Sequence, residues 1–415
     1  MVLNLMKKIV VCSFLLLLLQ IESSGASIDS IVLARTTEIV NKVTRQFAPD
    51  KRTVLFEATI QSTSPLVLDL ETTDVRALQE LKSLLARENL NAVINEQLLP
   101  SKDMGDKLYG IVNLSVCNDR STGNHPAEMV SQSLLGTPVE ILKKEKGFYL
   151  IRTPDHYISW TDNLAIQSMT KDEFTQWKSA NKLVYTNEYG HSYQKPSTKS
   201  LPVSDLVEGN ILEVIGREKK FFKVVYPDKR IAYILKKEVI LYNKWISRAD
   251  PKAGEVITTA KTLIGVPYLW GGTSIKGVDC SGFTKTCYFL NGIILPRDAS
   301  QQALIGKKID IYENDKVSIT KCLENLKPGD LLFFAGKLKE NNASKKVTHT
   351  ALYIGDGVFI QSAGLVRISS LVAGAINYDE FATNSLIGAR NVLTQIGSED
   401  IMRINQHPLY KTDLK

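Results

Sequence analysis

Asp279-Cys280-Ser281-Gly282 sets a cysteine directly before Thr284-Lys285-Thr286-Cys287-Tyr288-Phe289-Leu290, whose apolar spacing predicts a helix. At a helix start, unpaired backbone N–H groups and the positive end of the dipole favour a thiolate, the reactive form of the side chain. Cys280 is therefore a candidate nucleophile, although a lone cysteine is ordinarily a small buried hydrophobe. A nucleophilic thiol needs a base within hydrogen-bond reach, and the base needs a group that orients it. Between residues 250 and 393 only His349 offers an imidazole, just ahead of the apolar strand Ala351-Leu352-Tyr353-Ile354. The third member depends on the turn Gly355-Asp356-Gly357. A three-residue loop sets Gln361 opposite Ala351 and diagonal to His349 on one face, where its amide oxygen can accept the imidazole N–H; a two-residue loop sends Gln361 to the other face. A neutral amide orients the ring without adding charge, so a thiolate–imidazolium pair is expected to supply the charge of the site.

These side chains need a frame, and the segment 250–395 supplies the expected one. A helix over Glu255-Val256-Ile257-Thr258-Thr259-Ala260-Lys261-Thr262-Leu263-Ile264 stops at Gly265. The loop Gly265-Val266-Pro267-Tyr268-Leu269-Trp270-Gly271-Gly272 is the kind of Pro/Gly-punctuated aromatic stretch that walls a cleft. Leu326-Lys327-Pro328-Gly329-Asp330 then turns into a buried strand, Leu331-Leu332-Phe333-Phe334. Residues 396–415 are polar and read as a frayed tail.

Ahead of this segment, residues 107–182 and 183–246 repeat one pattern. Thr137-Pro138-Val139-Glu140-Ile141-Leu142, Gly147-Phe148-Tyr149-Leu150-Ile151-Arg152, a Pro154-Asp155 turn and Tyr157-Ile158-Ser159-Trp160 are followed later by Leu212-Glu213-Val214-Ile215, Phe221-Phe222-Lys223-Val224-Val225-Tyr226, a Pro227-Asp228 turn and Ile231-Ala232-Tyr233-Ile234. Two small all-β barrels are expected, with a short linker helix capped by Thr170 and Glu173 between them. Residues 27–106 read as a helix, a hairpin and a second helix, an α+β module in which Glu57, Asp69 and Glu71 are solvated-face carboxylates and no chemistry is visible.

Length and composition agree with a multidomain protein. The chain has 415 residues, 23% charged and 44% hydrophobic, ordinary values for a globular chain. In residues 1–26, Lys7-Lys8 precede an apolar run and Ser24-Gly25-Ala26 offers a cleavage site, the pattern of a secretory signal peptide. Its removal takes away two lysines and one glutamate, and the formal charge falls from +7 to +6. That mild basicity suits an anionic polymer such as cell wall. Four cysteines remain, Cys117, Cys280, Cys287 and Cys322, too few for a disulfide scaffold. Cys280 and Cys287 lie about 10 Å apart along one helix, beyond disulfide reach. No CxxC or His-x-x-x-His spacing occurs, so no metal site and no cofactor are expected.

Taken together and in order, Pro267-Tyr268-Leu269-Trp270-Gly271-Gly272, Asp279-Cys280-Ser281-Gly282, Leu295-Pro296-Arg297-Asp298, Leu326-Lys327-Pro328-Gly329-Asp330-Leu331 and the stretch from His349 to Gly357 resemble the NlpC-type peptidases, papain-like cysteine enzymes of bacterial cell-wall turnover. The resemblance implies a papain-like α+β catalytic domain over 250–395 with Cys280 as nucleophile, His349 as base and Gln361 as the third polar residue, a position more often occupied by histidine. The whole order is similar to the γ-D-glutamyl-L-diamino acid endopeptidases, which carry two SH3-like modules before the catalytic domain. In that group the first module closes one end of the cleft and recognises the free amine of an N-terminal L-Ala. Pro126-Ala127-Glu128-Met129-Val130-Ser131-Gln132 carries this over to Glu128, and His156-Tyr157-Ile158-Ser159-Trp160 to Tyr157; a carboxylate and a phenol suit an ammonium group. The resemblance also lines the peptide site with Asp279, Ser281 and Asp298 and sets Tyr268 beside the oxyanion. Ala299 stands where the family often has serine, so one substrate hydrogen bond is expected to be missing or to come from Ser300.

The expectation is an exported monomer, periplasmic or secreted, that cleaves the γ-D-Glu–diamino acid bond of murein peptides, with no nucleic-acid partner and no membrane span after signal cleavage. The alternatives are another papain-like amidase or acyltransferase acting on cell-wall material, and an inert wall-binding protein anchored by its SH3-like pair.

Overall fold

In the computed structural model the chain is described over residues 28–247, 250–336 and 346–411. The expected signal peptide, residues 1–26, lies outside the described residues. Two compact units divide at Leu99 and Pro100.

The first unit begins with the helix Ile28–Phe47, continues through the antiparallel hairpin Phe56–Thr63 and Leu66–Thr72, and crosses over through the helix Val75–Arg87 to Ala92–Leu98, which pairs parallel to the second strand. Strand Leu66–Thr72 alternates buried and half-buried residues, and Leu66, Leu68 and Leu70 meet Leu78, Leu81 and Leu85 of the crossover helix in one core. Asp74 caps that helix by accepting from the Arg76 N–H. Asp69 bridges the three strands by accepting from Gln61 at 2.6 Å and from Asn95 at 2.8 Å.

The second unit contains two seven-stranded sheets with the same topology. In the first, Ile166–Met169 lies at one edge, followed in space by Tyr109–Val112, Pro138–Glu145, Phe148–Arg152, Ile158–Asp162, Val116–Arg120 and Met129–Leu134. In the second, Val239–Leu241, Lys182–Tyr185, Ile211–Glu218, Phe221–Val225, Ile231–Leu235, Tyr189–Tyr193 and Pro202–Val207 follow the same order. Bulges interrupt the equivalent hairpins at Ile141/Lys143 and Val214/Gly216, so the repeat extends to irregularities. The helix Lys171–Ser179 between the sheets starts at a capping box formed by Thr170 and Glu173.

The remainder is a six-stranded antiparallel sheet, ordered Lys307–Lys308, Leu386–Asn391, Leu331–Ala335, Val347–Gly355, Val358–Ala363 and Leu365–Ser370. The helices Ala253–Thr262 and Cys280–Phe289 pack on it through Val256, Ala260, Phe283, Cys287 and Tyr288 against Leu331, Phe333, Leu352 and Ile360. All four described cysteines are free and buried.

The tail differs from the frayed segment that its polarity suggests. Met402–Arg403 pairs with Ile293–Ile294, and Ile404, Leu409 and Tyr410 are buried. A few well-placed apolar residues dock the segment even though its mean composition is polar. Among the described residues no helix is long and apolar enough to cross a membrane.

Candidate active site

Asp279 is the N-cap of the helix Cys280–Phe289; its Oδ1 accepts the Gly282 N–H at 2.7 Å. The first turn can lie against the preceding loop because residue 282 is glycine: a Cβ there would stand 2.0 Å from the Gly272 carbonyl oxygen. The other Asp279 oxygen accepts the Gly271 N–H at 2.9 Å and Arg297 Nη2 at 2.6 Å, while Arg297 Nη1 reaches Oδ1 at 3.1 Å. Arg297 also donates to Ser281 Oγ and, on the first seven-stranded sheet, to Ser131 Oγ, each at 3.0 Å. A buried guanidinium thus ties the helix Cys280–Phe289 to that sheet. The oxygens of Asp279 are engaged by protein groups, and Ser281 is buried beside them.

Cys280 itself is buried and receives the backbone N–H groups of Thr350 and Ser281. Burial, reinforced by the charge of Asp279, pushes the thiol up to about 11, although both N–H groups and Arg297 pull it down. This shift runs against the expected thiolate: desolvation and the cap carboxylate oppose the pull of the helix-start N–H groups and favour the thiol. Tyr268 is half-buried; burial, then the nearby Cys280 and Asp279, raise its phenol well above the ordinary value, so it stays a hydrogen-bond donor.

His349 lies on the strand whose next residue, Thr350, touches the thiol, and its Nε2 is 2.8 Å from Gln361 Oε1. The route to this contact differs from both loop alternatives. Gly355 pairs with Val358 around a two-residue turn, Asp356-Gly357, with φ +50° and +76°. A bulge at Ile354 supplies the extra residue, so Leu352 faces Ile360 and Gln361 keeps to the face of His349. Burial lowers the His349 pKa, opposed by the Gln361 hydrogen bond and the charge of Asp379.

Behind Gln361 lies a layer the sequence did not reveal. Gln361 Nε2 donates to Ser369 Oγ at 2.9 Å and to Asp379 Oδ2 at 2.8 Å, and Arg367 Nη2 reaches the same carboxylate oxygen at 3.2 Å. Asp379 also caps the helix Glu380–Ser385 through the Ala382 N–H. An aspartate before a helix signals a cap in sequence, and nothing local links it to residue 361.

The residues expected from the first barrel lie at its seam with the catalytic sheet. Glu128 is exposed, and its Oε1 accepts Trp270 Nε1 at 2.7 Å; Tyr157 is buried and feels the charge of Arg297. Further contacts cross the seam: Thr273 donates from its N–H and hydroxyl to Gln132, and Asp155 pairs with Lys285. A Cβ on Gly271, at φ +79°, would meet the Met129 carbonyl oxygen at 2.5 Å, so backbone meets backbone where the sheet and the loop join. Asp298 is the N-cap of the short helix Ala299–Gln302 in a capping box with Gln301, Ala299 is buried and Ser300 half-buried. Among the described residues no group of three metal-ligating side chains converges.

The NlpC/P60 family profile matches residues 265–382, a range holding Cys280, His349, Gln361 and Asp379. A protein named gamma-D-glutamyl-L-lysine dipeptidyl-peptidase from Bacillus cereus is 30% identical over 255 residues, 59% of this chain and 70% of that protein. Dipeptidyl-peptidase 6 of Lysinibacillus sphaericus is 26% identical over 305 residues, 69% of this chain and 89% of its own length. The crystal structure of an NlpC/P60 family protein from Bacillus cereus superposes with a TM-score of 0.55 at 23% identity, over 68% of this chain and 99% of that one, which is a likeness of fold.

Proposed function

The chain belongs to the NlpC/P60 family of cell-wall peptidases, and from that premise we propose that it is a cysteine endopeptidase cleaving the γ-D-Glu–diamino acid bond of murein peptides that begin with a free L-Ala. The observation that carries the reading is the His349–Gln361 hydrogen bond on the strand whose Thr350 N–H reaches the Cys280 thiol. Gln361 Oε1 accepts from the protonated Nε2, leaving Nδ1 as the basic nitrogen. His349 takes the thiol proton as sulfur attacks the γ-carbonyl carbon, and it returns that proton to the leaving amine as the C–N bond breaks. Water then enters by the same base and splits the thioester, releasing the γ-D-glutamyl product and the thiol. The Tyr268 phenol and the Cys280 N–H are the donors for the oxyanion.

In this reading the two seven-stranded sheets are SH3-like domains over 107–182 and 183–246, ahead of a catalytic domain over 250–395. Glu128 receives the substrate amine at the seam, steadied by Trp270, with Tyr157 closing that end. Asp279, Ser281 and Asp298 frame the peptide site, with Asp279 and Ser281 acting from behind through Arg297. The name of the Bacillus cereus relative, gamma-D-glutamyl-L-lysine dipeptidyl-peptidase, supports a diamino acid on the leaving side. The protein is an exported monomer in the same proposal.

Incubation of L-Ala-γ-D-Glu-diaminopimelate and its L-Lys counterpart with wild type and Cys280→Ala, followed by mass spectrometry, tests the activity. Wild type should release L-Ala-D-Glu and the variant none; a wild type that leaves both peptides whole overturns the reading. N-acetylation of the alanine should lower kcat/KM at least about tenfold, the scale of one charge-assisted contact. Equal cleavage of the acetylated peptide would remove Glu128 and Tyr157 from the recognition of the amine.

A further inference from the structure

We propose that Asp379 is a positioning residue that sets the direction of the Gln361 amide and, through it, which nitrogen of His349 is the base. The inference rests on the reading of Cys280, His349 and Gln361 as the catalytic set.

A glutamine side chain offers an oxygen at one end and two N–H donors at the other, and rotation by a half-turn exchanges them with little change of shape. Only the first orientation serves the site. With Oε1 toward His349, the imidazole carries its proton on Nε2 and keeps Nδ1 free; with the NH2 group there, Nε2 becomes the acceptor and the proton moves to Nδ1, which can then take none from a thiol. Gln361 is 2% exposed, so solvent cannot satisfy either orientation. What selects between them is the far side of the amide, where both Nε2 hydrogens have acceptors, Ser369 Oγ at 2.9 Å and Asp379 Oδ2 at 2.8 Å. Serine can donate as well as accept and so tolerates either orientation. An ionised carboxylate only accepts. A flipped amide would set oxygen against oxygen at the Asp379 contact. Burial pushes the Asp379 carboxyl up, but the Ala382 N–H, Gln361 and Arg367 outweigh it and hold it below the ordinary value, so the acceptor is charged at any working pH. Asp379 also caps the helix Glu380–Ser385, which fixes its own position through backbone.

Asp379→Asn is the direct test because it keeps the cap, an oxygen on the Ala382 N–H, while presenting a donor to Gln361. We expect kcat on the murein tripeptide to fall roughly tenfold to a hundredfold, the worth of one hydrogen bond to a charged group, with KM changed by less than about twofold. Iodoacetamide alkylation of Cys280, followed on its own peptide by mass spectrometry, should slow in parallel. Nitrogen NMR of labelled histidine should show His349 moving from the Nε2–H form toward a mixture. In a Gln361→Ala background, Asp379→Asn should cost nothing further, because Asp379 acts through that amide. Asp379→Ser, which also caps but is too short to reach Gln361, replaces Asp379→Asn if that variant does not fold. An unchanged kcat and tautomer in a folded variant, or the same loss in the Gln361→Ala background, overturns the proposal. Alkylation and NMR need no murein peptide, so a wrong substrate and a wrong positioning residue give different results.

Discussion

Cys280 and His349 start from the opposite of the charge state usually drawn for a thiol–imidazole pair. Burial raises the thiol to about 11 and lowers the imidazole, so both groups favour their neutral forms, and in the proposed mechanism the proton moves as sulfur attacks. The rate of Cys280 alkylation by iodoacetamide should therefore climb continuously with pH between about 5 and 9, following the small thiolate fraction. A plateau at acid pH that disappears on deprotonation of an imidazolium would show a preformed ion pair and refute this account. The identities of the two residues were legible because each depends on a short local pattern, an acid-capped helix start and a histidine leading an apolar strand. Their protonation was not, because it depends on how deeply the sheet buries them and on the Asp279 charge beside the thiol. Asp379 was illegible for a related reason: its bond to Gln361 spans eighteen residues and is made only after the edge strand Leu365–Ser370 folds back.

At the scale of elements, the positions of several strands and helix starts followed from periodicity and caps, whereas sheet order and registers did not. The His349 hairpin turns on two residues and recovers its face by a bulge at Ile354, a correction that no propensity of isoleucine announces. In the first seven-stranded sheet, strand Val116–Arg120 buries Asp119 completely, with Ser133 Oγ donating to it at 2.7 Å and Asp155, Lys285 and Arg297 as its charged neighbours. Burial raises its pKa from 3.8 to about 7. The unfolded chain therefore ionises this group before the folded one does. Stability contributed here is complete below the unfolded pKa, is lost as pH rises toward 7, and stays lost above it, a cost on the order of a few kcal/mol. Asp119→Asn keeps an acceptor for Ser133 and removes the ionisation. Its gain in Tm over wild type should be larger at pH 8 than at pH 5; equal shifts at both would mean that Asp119 is charged at both.

At the scale of the whole molecule, the tail does what composition concealed. Leu409 joins Ile111, Met169, Phe174 and Trp177 of the first sheet and the helix after it, while Ile404 and Tyr410 join Val184, Ile211, Tyr242, Trp245 and Ile294 from the second sheet, the helix Tyr242–Ile246 and the strand Ile293–Ile294. One short segment thus contacts both sheets and the segment that follows them. Full burial of such side chains contributes about 1.5–3 kcal/mol each, so removal of residues 396–415 should lower stability by several kcal/mol and expose an apolar seam. A milder change isolates the effect on recognition. Tyr410 lines one cavity with Thr137, Asp155 and Lys285, between the first sheet and the helix Cys280–Phe289. Tyr410→Ala should leave Cys280 alkylation within about twofold of wild type, because the helix start is held by Asp279 and Arg297. It should instead narrow the proposed preference for a free over an acetylated alanine, since in that proposal the amine contact depends on how firmly the first sheet, which carries Glu128 at its edge, is seated. Measuring kcat/KM on both peptides decides it. If alkylation and preference fall together, the tail stabilises residues 250–395 as a whole; if preference alone falls, the tail holds the first sheet, with Glu128, against the helix Cys280–Phe289.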